Sequence, residues 1–470
     1  MKTEKKNDLA KELTYENKSV FSKMDSKEKQ TVFEFCDEYR KFITAYKTER
    51  EFCAASCRVL AANGFVPLED KKTLKAGDKV YTVNRGKGVF AAIIGSEDIE
   101  NGVNLVGAHI DSPRLDLKPN PLYEDQGVAY FKTHYYGGIK KYQWTAIPLA
   151  IHGVAALQDG TQINIVIGED ENDPVFCISD LLPHMADAQM MKKTKDAIPG
   201  ESLNVIMGNI AIEDGEAKEA VKLNILKLLN EKYGIVEEDL LSSEIEVVPA
   251  FDARDIGLDR SMIGGYGQDD RVCAYTSLVA MLETEEPEKT TCCLLTDKEE
   301  IGSVGATGMQ SHFFENTVAE IMNAMGVFSE ISLRRCLASS RMLSSDVSAG
   351  FDPSFESAFD KKNAAVFGEG MVFNKFTGAR GKSGSNDANA EYMAAIRKIM
   401  DDDEITYQTA ELGKVDVGGG GTIAYILSLY GMEVIDCGVA VLNMHAPWEI
   451  TSKADIYETK KGYVAFLKNA

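Results

Sequence analysis

Two adjacent glutamates, Glu299 and Glu300, follow a short apolar stretch in the segment TDKEEIGS at residues 296–303. Adjacent side chains diverge, so at the end of a strand one carboxylate can bind a metal ion while its neighbour faces a substrate. A metal-dependent hydrolase needs this combination of a ligand and a general base. Glutamate pairs also occur on solvated helix faces, so the interpretation depends on the residues that the chain brings beside them.

Two histidines and two aspartates stand in comparable positions. His109 ends the apolar run NLVGAH, and His445 follows a β-rich apolar run in VIDCGVAVLNMH. Asp346 follows the short strand-like run in RMLSSD, and Asp269 follows a glycine-rich turn that leads into a helix. The strand ends of open α/β sheets converge on one crevice where ligands bind, so we expect these residues to meet there.

The residue types in this set indicate the kind of metal ion. Two histidines with three carboxylates suit zinc or another borderline divalent ion, whereas calcium takes oxygen ligands only. Five ligands are too many for one catalytic zinc ion, but they suit two ions about 3.5–4 Å apart that share a bridging carboxylate. Asp111, two residues after His109, is expected to accept the second imidazole N–H and to fix the tautomer. Taken singly, each residue is also typical of a solvated loop carboxylate or a satisfied histidine.

Five segments carry a family resemblance along nearly the whole chain: HIDSPRLDLKP, GQDDR, DKEEIGS, SSDVSAGFDP and NMHAPWE. In this order they resemble the aspartyl aminopeptidase family of dinuclear zinc metallopeptidases. The resemblance implies that His109 and Asp346 complete one metal site. It also implies that Glu300 and His445 complete the other, and that Asp269 bridges the two ions. Zinc is the expected metal, with cobalt and manganese as alternatives.

The resemblance also implies a mechanism. Glu299 would be the general base, which takes a proton from water activated by the two ions and delivers it to the leaving amine. Asp111 would orient His109, and Asp270 would follow Asp269 across a cis peptide bond. The substrate would be a peptide with a free N-terminus.

The preferred N-terminal residue is left open by the sequence. Family members specific for acidic residues carry a motif that the segment 370–392 does not match. Lys375, Arg380 and Lys382 offer cations for an acidic side chain, but they are equally typical of a glycine-spaced surface loop. An apolar or broad preference is therefore an equal alternative. His184 lies where the family places a histidine that reaches a neighbouring subunit's active site, and a plain surface histidine is the alternative.

Composition limits the class of partner and the cellular location. The net charge of −22 at pH 7 argues against nucleic acid and anionic membranes, which need a basic surface. The sequence contains no apolar run of about 18 residues, and its first residues lack the apolar region of a signal peptide. The nine cysteines show no CxxC spacing, which is typical of reduced thiols. We therefore expect a cytoplasmic protein.

The length of 470 residues exceeds a usual single core, so two domains are expected. We predict an α/β catalytic domain, with a mixed central sheet flanked by helices, from residues 1–118 and 248–470. Residues 119–247 contain none of the expected metal ligands and are predicted to form an inserted domain. The resemblance implies that this insertion is a β-rich dimerisation domain within a large homo-oligomer, a tetrahedral dodecamer.

Local patterns predict several elements. Apolar residues at helical spacing indicate a helical region over residues 26–63 and another helix over residues 271–286. Asp159–Gly160 separates two alternating apolar runs and predicts a β-hairpin, and Gly234 is expected to end a helix. The glycine run 418–421 lacks a nucleotide-binding motif, so it is expected to line a substrate cleft or to let a helix pack closely.

We therefore predict a metal-dependent aminopeptidase, which is a hydrolase of peptide bonds. A related dinuclear hydrolase that removes an N-acyl group or acts as a carboxypeptidase is an alternative, distinguished by whether turnover requires a free α-amino group. The other alternative is a non-enzymatic assembly protein that keeps the fold. This last alternative is less consistent with the chain, because every residue expected to bind metal or to act as the base is present.

Overall fold

The structure, a computed structural model, describes residue 9, residues 12–15, residue 17, residues 19–213 and residues 218–470. In these ranges the helices α1 to α12 are, in chain order, Val20–Lys23, Ser26–Ala45, Glu49–Ala62, Asp187–Met190, Thr194–Ala197, Ala220–Tyr233, Gln268–Glu283, Phe313–Ala324, Glu330–Ser339, Ala390–Asp402, Ala424–Ser428 and Lys453–Asn469. The strands β1 to β20 are Val66–Pro67, Lys79–Val83, Val89–Ile93, Asn104–His109, Arg114–Asp125, Val128–Tyr136, Leu149–Ala156, Gln162–Ile167, Asn204–Gly208, Ser243–Pro249, Arg254–Ile256, Met262–Gly265, Thr291–Thr296, Arg341–Ser345, Ser348–Ala349, Met371–Asn374, Tyr407–Thr409, Glu433–Gly438, Ala440–Leu442 and Glu449–Ser452.

The largest sheet has nine strands in the order β1-β2-β3-β13-β4-β14-β18-β16-β17 and is mixed. At its centre β4 runs parallel to both β13 and β14. Thr296 at the end of β13 lies opposite His109 at the end of β4. Every residue of these two strands is buried, as expected where both faces of a parallel sheet are covered. The predicted α/β class, with a mixed central sheet flanked by helices, is confirmed.

Helices cover both faces of the nine-stranded sheet. Successive residues of β4 point to opposite faces, so Val106 and Leu105 belong to different buried clusters. The Val106 cluster includes Leu278 of α7 together with residues of α2 and α12. The Leu105 cluster includes Phe314 of α8 together with residues of α9 and α11. The helices thereby hold the central strands in place from both sides.

The predicted helical region over residues 26–63 consists of two helices, α2 and α3. The second begins with a capping box, in which the hydroxyl of Thr48 accepts the N–H of Glu51 while the Glu51 carboxylate accepts the N–H of Thr48. The predicted end is confirmed, since Asn63 caps α3.

The second sheet has six antiparallel strands in the order β8-β7-β10-β5-β6-β9, all between Arg114 and Pro249. The predicted hairpin is confirmed, because β7 pairs with β8 across Asp159–Gly160. Helix α6 packs on this sheet and ends at Gly234, whose φ of 72° is the left-handed conformation that glycine adopts at helix ends.

A third sheet has five strands in the order β11-β12-β20-β19-β15. The connection between its strands β19 and β20 carries His445. In the described part of the chain, no helix is long and apolar enough to cross a membrane. All nine cysteines are free thiols.

Candidate metal centre

Three neighbouring parallel strands deliver side chains to one edge of the nine-stranded sheet. His109 is the last residue of β4, and Asp346 directly follows β14. Glu299 and Glu300 lie in a short 3-10 turn just after β13. Because the three strands are adjacent and parallel, their carboxyl ends bring these residues together, as the sequence predicts.

Asp269 and His445 complete the cluster from outside this sheet. Asp269 lies in the first turn of α7, where its backbone is not helical, and the Asp269–Asp270 peptide bond is cis as expected from the resemblance. His445 comes from the β19–β20 connection. The Asp269 carboxylate lies between the two histidines: its Oδ1 is 3.3 Å from Nε2 of His109, and its Oδ2 is 3.1 Å from Nε2 of His445.

The potential ligand atoms form overlapping groups, each with its atoms within 4.8 Å of one another. One group contains His109, Asp269 and Asp346, and another contains Asp269, Glu300 and His445. A third contains Glu299 and Glu300 with His109. Nitrogen and carboxylate donors in these numbers suit zinc.

The carboxylates of the cluster are buried beside one another, which disfavours their charged forms. Burial and neighbouring carboxylates raise the pKa of Glu300 and Asp346 well above the usual range, and burial raises the pKa of Glu299 to about 7. Burial also acts to raise the pKa of Asp269, but hydrogen bonds from both histidines outweigh it and lower that pKa. Among the described residues, Glu300 Oε1 is buried without a hydrogen-bond partner. A bound cation would satisfy this oxygen and offset the repulsion, so the residues present fit a divalent metal.

Backbone carbonyls set the tautomers of the two histidines. The Nδ1–H of His109 donates to the carbonyl of Asp111 at 2.9 Å, and the Nδ1–H of His445 donates to the carbonyl of Gly138 at 2.9 Å. Each Nε2 faces the Asp269 carboxylate, and it would give a lone pair to a metal ion in place of its proton. The Asp111 carboxylate, which is predicted from the sequence to accept this N–H, lies slightly farther from Nδ1, at 3.3 Å.

The Asp111 carboxylate has other partners. It accepts the backbone N–H groups of Glu299 and Glu300 at 3.1 and 3.2 Å, and the hydroxyl of Tyr136 donates to it at 2.8 Å. Asp111 is fully buried, so these contacts fix the turn that carries the two glutamates.

Glu449 belongs to the site although the sequence analysis does not single it out. Its carboxylate accepts the backbone N–H of Asp269 at 3.0 Å and the backbone N–H of His445 at 2.7 Å. One buried side chain thus joins the helix that carries Asp269 to the loop that carries His445. The sequence feature that could have indicated Glu449 is its position four residues after His445, in the segment MHAPWE.

A cavity of about 580 Å³ opens beside the cluster. Apart from the cluster, its walls include Val347, Leu412, Met444 and the glycines 419–421. The glycine run therefore lines a cleft, which is one of the two uses predicted for it.

None of the four residues predicted to bind substrate is among those that line this cavity. Lys375 and Lys382 both pair with Asp387, and Arg380 and Lys382 line an adjoining pocket that shares Leu412 with the cavity. His184 is exposed in the turn Pro183–Met185. The structure therefore brings together the predicted metal ligands, Glu299 and Asp111, but none of these four side chains.

Comparisons with known proteins identify relatives that match nearly the whole chain. The family model described as aminopeptidase I zinc metalloprotease (M18) matches residues 42–467. The chain is 58% identical over 467 residues to a probable M18 family aminopeptidase 1 of Clostridium acetobutylicum, covering 98% of this chain and 100% of that protein.

Solved structures agree with this similarity. An M18 family aminopeptidase from Thermotoga maritima superimposes with a TM-score of 0.94 at 48% identity, covering 97% of this chain and 100% of that one. The S. cerevisiae mApe1 dodecamer shares the fold, with a TM-score of 0.74 at 20% identity over 92% of this chain and 96% of that one.

Proposed function

Because the chain belongs to the aminopeptidase I zinc metalloprotease family, M18, and is a metalloaminopeptidase, we propose that it works through a dinuclear zinc centre. His109 and Asp346 would hold one ion. Glu300 and His445 would hold the other, and Asp269 would be a ligand of both. Cobalt or manganese in place of zinc is compatible with the same donors.

The observation that carries this proposal is the position of Asp269. Its two carboxylate oxygens face the Nε2 atoms of two different histidines, at 3.3 and 3.1 Å. A carboxylate that bridges two ions has this arrangement, with one oxygen towards each ion and its nitrogen ligand. The remaining carboxylates divide between the two sides, since Asp346 groups with His109 and Glu300 groups with His445.

Glu299 is the general base in this proposal. Both glutamates line the cavity, but the side chain of Glu299 keeps 17% exposure, whereas that of Glu300 is 3% exposed and lies 3.5 Å from Nε2 of His445. Burial raises the pKa of Glu299 to about 7, which suits a group that takes up and returns a proton near neutral pH.

Different residues of the chain have different roles in the proposed mechanism. When bound, the zinc ions supply Lewis-acid polarisation of the scissile carbonyl and acidify water at the site. Glu299 would take a proton from the attacking water and deliver it to the leaving amine. Asp111 holds the backbone of Glu299 so that the carboxylate reaches the water, and Glu449 fixes Asp269 relative to His445.

The walls of the cavity support an apolar or broad preference for the N-terminal residue. Val347, Leu412 and Met444 offer apolar contacts, and the lining includes neither lysine nor arginine among the described residues. We therefore favour peptides that begin with residues such as leucine or methionine.

The proposal extends to domain organisation, assembly and location. Residues 1–118 and 248–470 form the catalytic domain, and residues 119–247 form an inserted dimerisation domain within a cytoplasmic homo-oligomer, a tetrahedral dodecamer. S. cerevisiae mApe1 is a dodecamer, which supports a homo-oligomer here. The exposed apolar side chains of the insertion support a contact surface, with Met190 and Met191 73% and 88% exposed.

A panel of chromogenic aminoacyl substrates tests the function. The protein is stripped with a chelator, reloaded with zinc, cobalt or manganese, and assayed on Leu, Met, Asp and Glu substrates in free and N-acetylated forms. We expect metal-dependent cleavage of free Leu and Met substrates. Cleavage of free Asp and Glu substrates alone would overturn the apolar preference, and cleavage of acetylated substrates alone would overturn the proposed requirement for a free N-terminus.

A further inference from the structure

The end of strand β6 reaches the metal centre from the six-stranded sheet. Tyr136 is its last residue, and Gly137 and Gly138 follow; we call these three residues the YGG segment. Each of them contacts a different part of the metal centre, although none was singled out by its chemistry in the sequence.

Tyr136 holds Asp111. Its hydroxyl donates to Asp111 Oδ2 at 2.8 Å, and both side chains are buried. The tyrosine ring is itself fixed, because the guanidinium carbon of Arg114 lies 3.9 Å from the ring centroid. Arg114 is buried and paired with Asp116 and Glu246 of the six-stranded sheet. The hydroxyl is therefore anchored in the six-stranded sheet and pointed at the carboxylate that positions Glu299.

The two glycines pack directly against metal ligands. A Cβ atom on Gly137 would lie 3.1 Å from Oε2 of Glu300, and its φ of +76° is one that other residues rarely adopt. A Cβ atom on Gly138 would lie 3.4 Å from Nδ1 of His445, whose N–H donates to the Gly138 carbonyl. The lack of side chains lets the backbone approach both ligands closely.

We propose that the YGG segment is a positioning element of the zinc site, so that the six-stranded sheet takes part in catalysis within its own chain. Tyr136 sets Asp111 and through it the turn of Glu299. Gly137 limits where Glu300 can lie, and Gly138 orients His445. This inference rests on the proposed dinuclear zinc centre and adds to it a role for the six-stranded sheet other than assembly.

The first test is Tyr136→Phe, which removes the hydroxyl and keeps the ring on Arg114. The control is Tyr130→Phe, on the same strand, where the ring stacks on Tyr123 away from the metal centre.

Zinc dissociation constants are measured by competition with a chromophoric chelator, and kcat and KM are measured on a free Leu substrate at saturating zinc. Loss of an outer contact to a metal ligand costs about 10–100-fold in metal affinity or activity. We expect Tyr136→Phe to weaken zinc binding and to lower kcat about tenfold, with KM within about twofold.

The second test is Gly137→Ala, with Gly160→Ala as its control. Both glycines have left-handed φ values, +76° and +88°, but a Cβ on Gly160 meets nothing within 4 Å. The two alanine variants therefore share the backbone strain, but only the Cβ at position 137 would contact Glu300. We expect Gly137→Ala to weaken zinc binding by tenfold or more beyond any effect of Gly160→Ala.

The outcomes separate this inference from the proposed function. Zinc dissociation constants and kcat within about twofold of the parent protein for Tyr136→Phe would overturn the inference, as would equal effects of the two alanine variants. A parent protein that binds zinc but cleaves no free aminoacyl substrate would overturn the proposed function instead. In that case the zinc dissociation constants of the variants still decide whether the YGG segment positions the ligands.

Discussion

The carboxylate of Asp111 accepts the backbone N–H of Glu299 at 3.1 Å, although 188 residues separate them in the chain. This bond ties the end of β4 to the turn after β13. The backbone carbonyl of the same Asp111 accepts the imidazole N–H of His109. The proposed base and one proposed metal ligand, His109, are therefore positioned by a single buried residue.

Replacing the proposed base separates chemistry from metal binding. We expect Glu299→Gln to lower kcat by about 10²–10⁴-fold, the usual contribution of a general base, while two metal ions remain bound. The measurement combines steady-state kinetics on a free aminoacyl substrate with metal analysis by mass spectrometry. Glu285→Gln, at an exposed position, is the control and should retain activity. Near-normal turnover of Glu299→Gln would remove this residue from the role of base.

Removing one histidine tests the division of ligands. We expect His445→Ala to lose one of two zinc equivalents, because His109, Asp269 and Asp346 still form the other site. Bound zinc is counted after dialysis against a weak chelator. His312→Ala removes an exposed histidine and should retain both ions. Two full equivalents in His445→Ala would contradict its assignment as a ligand.

Glu449 should affect zinc binding without touching a zinc ion. In Glu449→Gln the neutral amide offers only one acceptor oxygen to the two backbone N–H groups of Asp269 and His445. We expect zinc affinity to fall by about 10–100-fold, as is usual when an outer contact of a ligand is lost. Chelator competition measures this change, and Glu433→Gln at the start of β18 is a control outside the cavity. Equal zinc affinities for the two variants would show that the Glu449 contacts are unimportant.

A buried histidine predicts a pH-dependent stability. His152 on β7 lies 2.7 Å from Glu51 and 2.8 Å from Glu169. Burial acts to lower its pKa, but the two carboxylates outweigh this and raise the pKa above 6.5. A raised pKa in the folded state adds stability that is fully present below the unfolded pKa and is lost as the pH rises through the folded pKa.

We therefore expect His152→Gln to lower the free energy of unfolding more at about pH 6 than at about pH 9. Urea denaturation at the two pH values measures the difference. His134→Gln, at an exposed position of the same sheet, should show no such dependence. A loss of stability of equal size at both pH values would disprove the ion-pair interpretation.

Much of the fold and of the metal cluster could be predicted from the sequence because their signals are local. The runs NLVGAH and TCCLLT are typical of buried strands, and each ends at or just before residues with metal-binding side chains. The convergence of His109, Glu300 and Asp346 then follows from the geometry of a parallel sheet. The hairpin at Asp159–Gly160 was likewise predictable from its turn residues.

The supporting contacts could not be predicted because they depend on how distant elements pack. Tyr136 and Glu449 reach the site from two other sheets. No spacing in the sequence indicates which of the many tyrosines will do so, and for Glu449 the signal was its place four residues after His445. The basic residues of segment 370–392 were candidates for substrate binding because of their charges. In the structure, Lys375 and Lys382 pair with Asp387 instead.

The order of the ligands along the chain bears on protein synthesis. The ligand residues extend from His109 to His445, and β4 lies between strands that are made much later. While the ribosome is still translating, the early histidine has neither its neighbouring strands nor its partner ligands. The metal centre can therefore mature only after almost the entire polypeptide has emerged, and a truncated product of interrupted translation carries the first ligand without being able to bind zinc as the finished enzyme does.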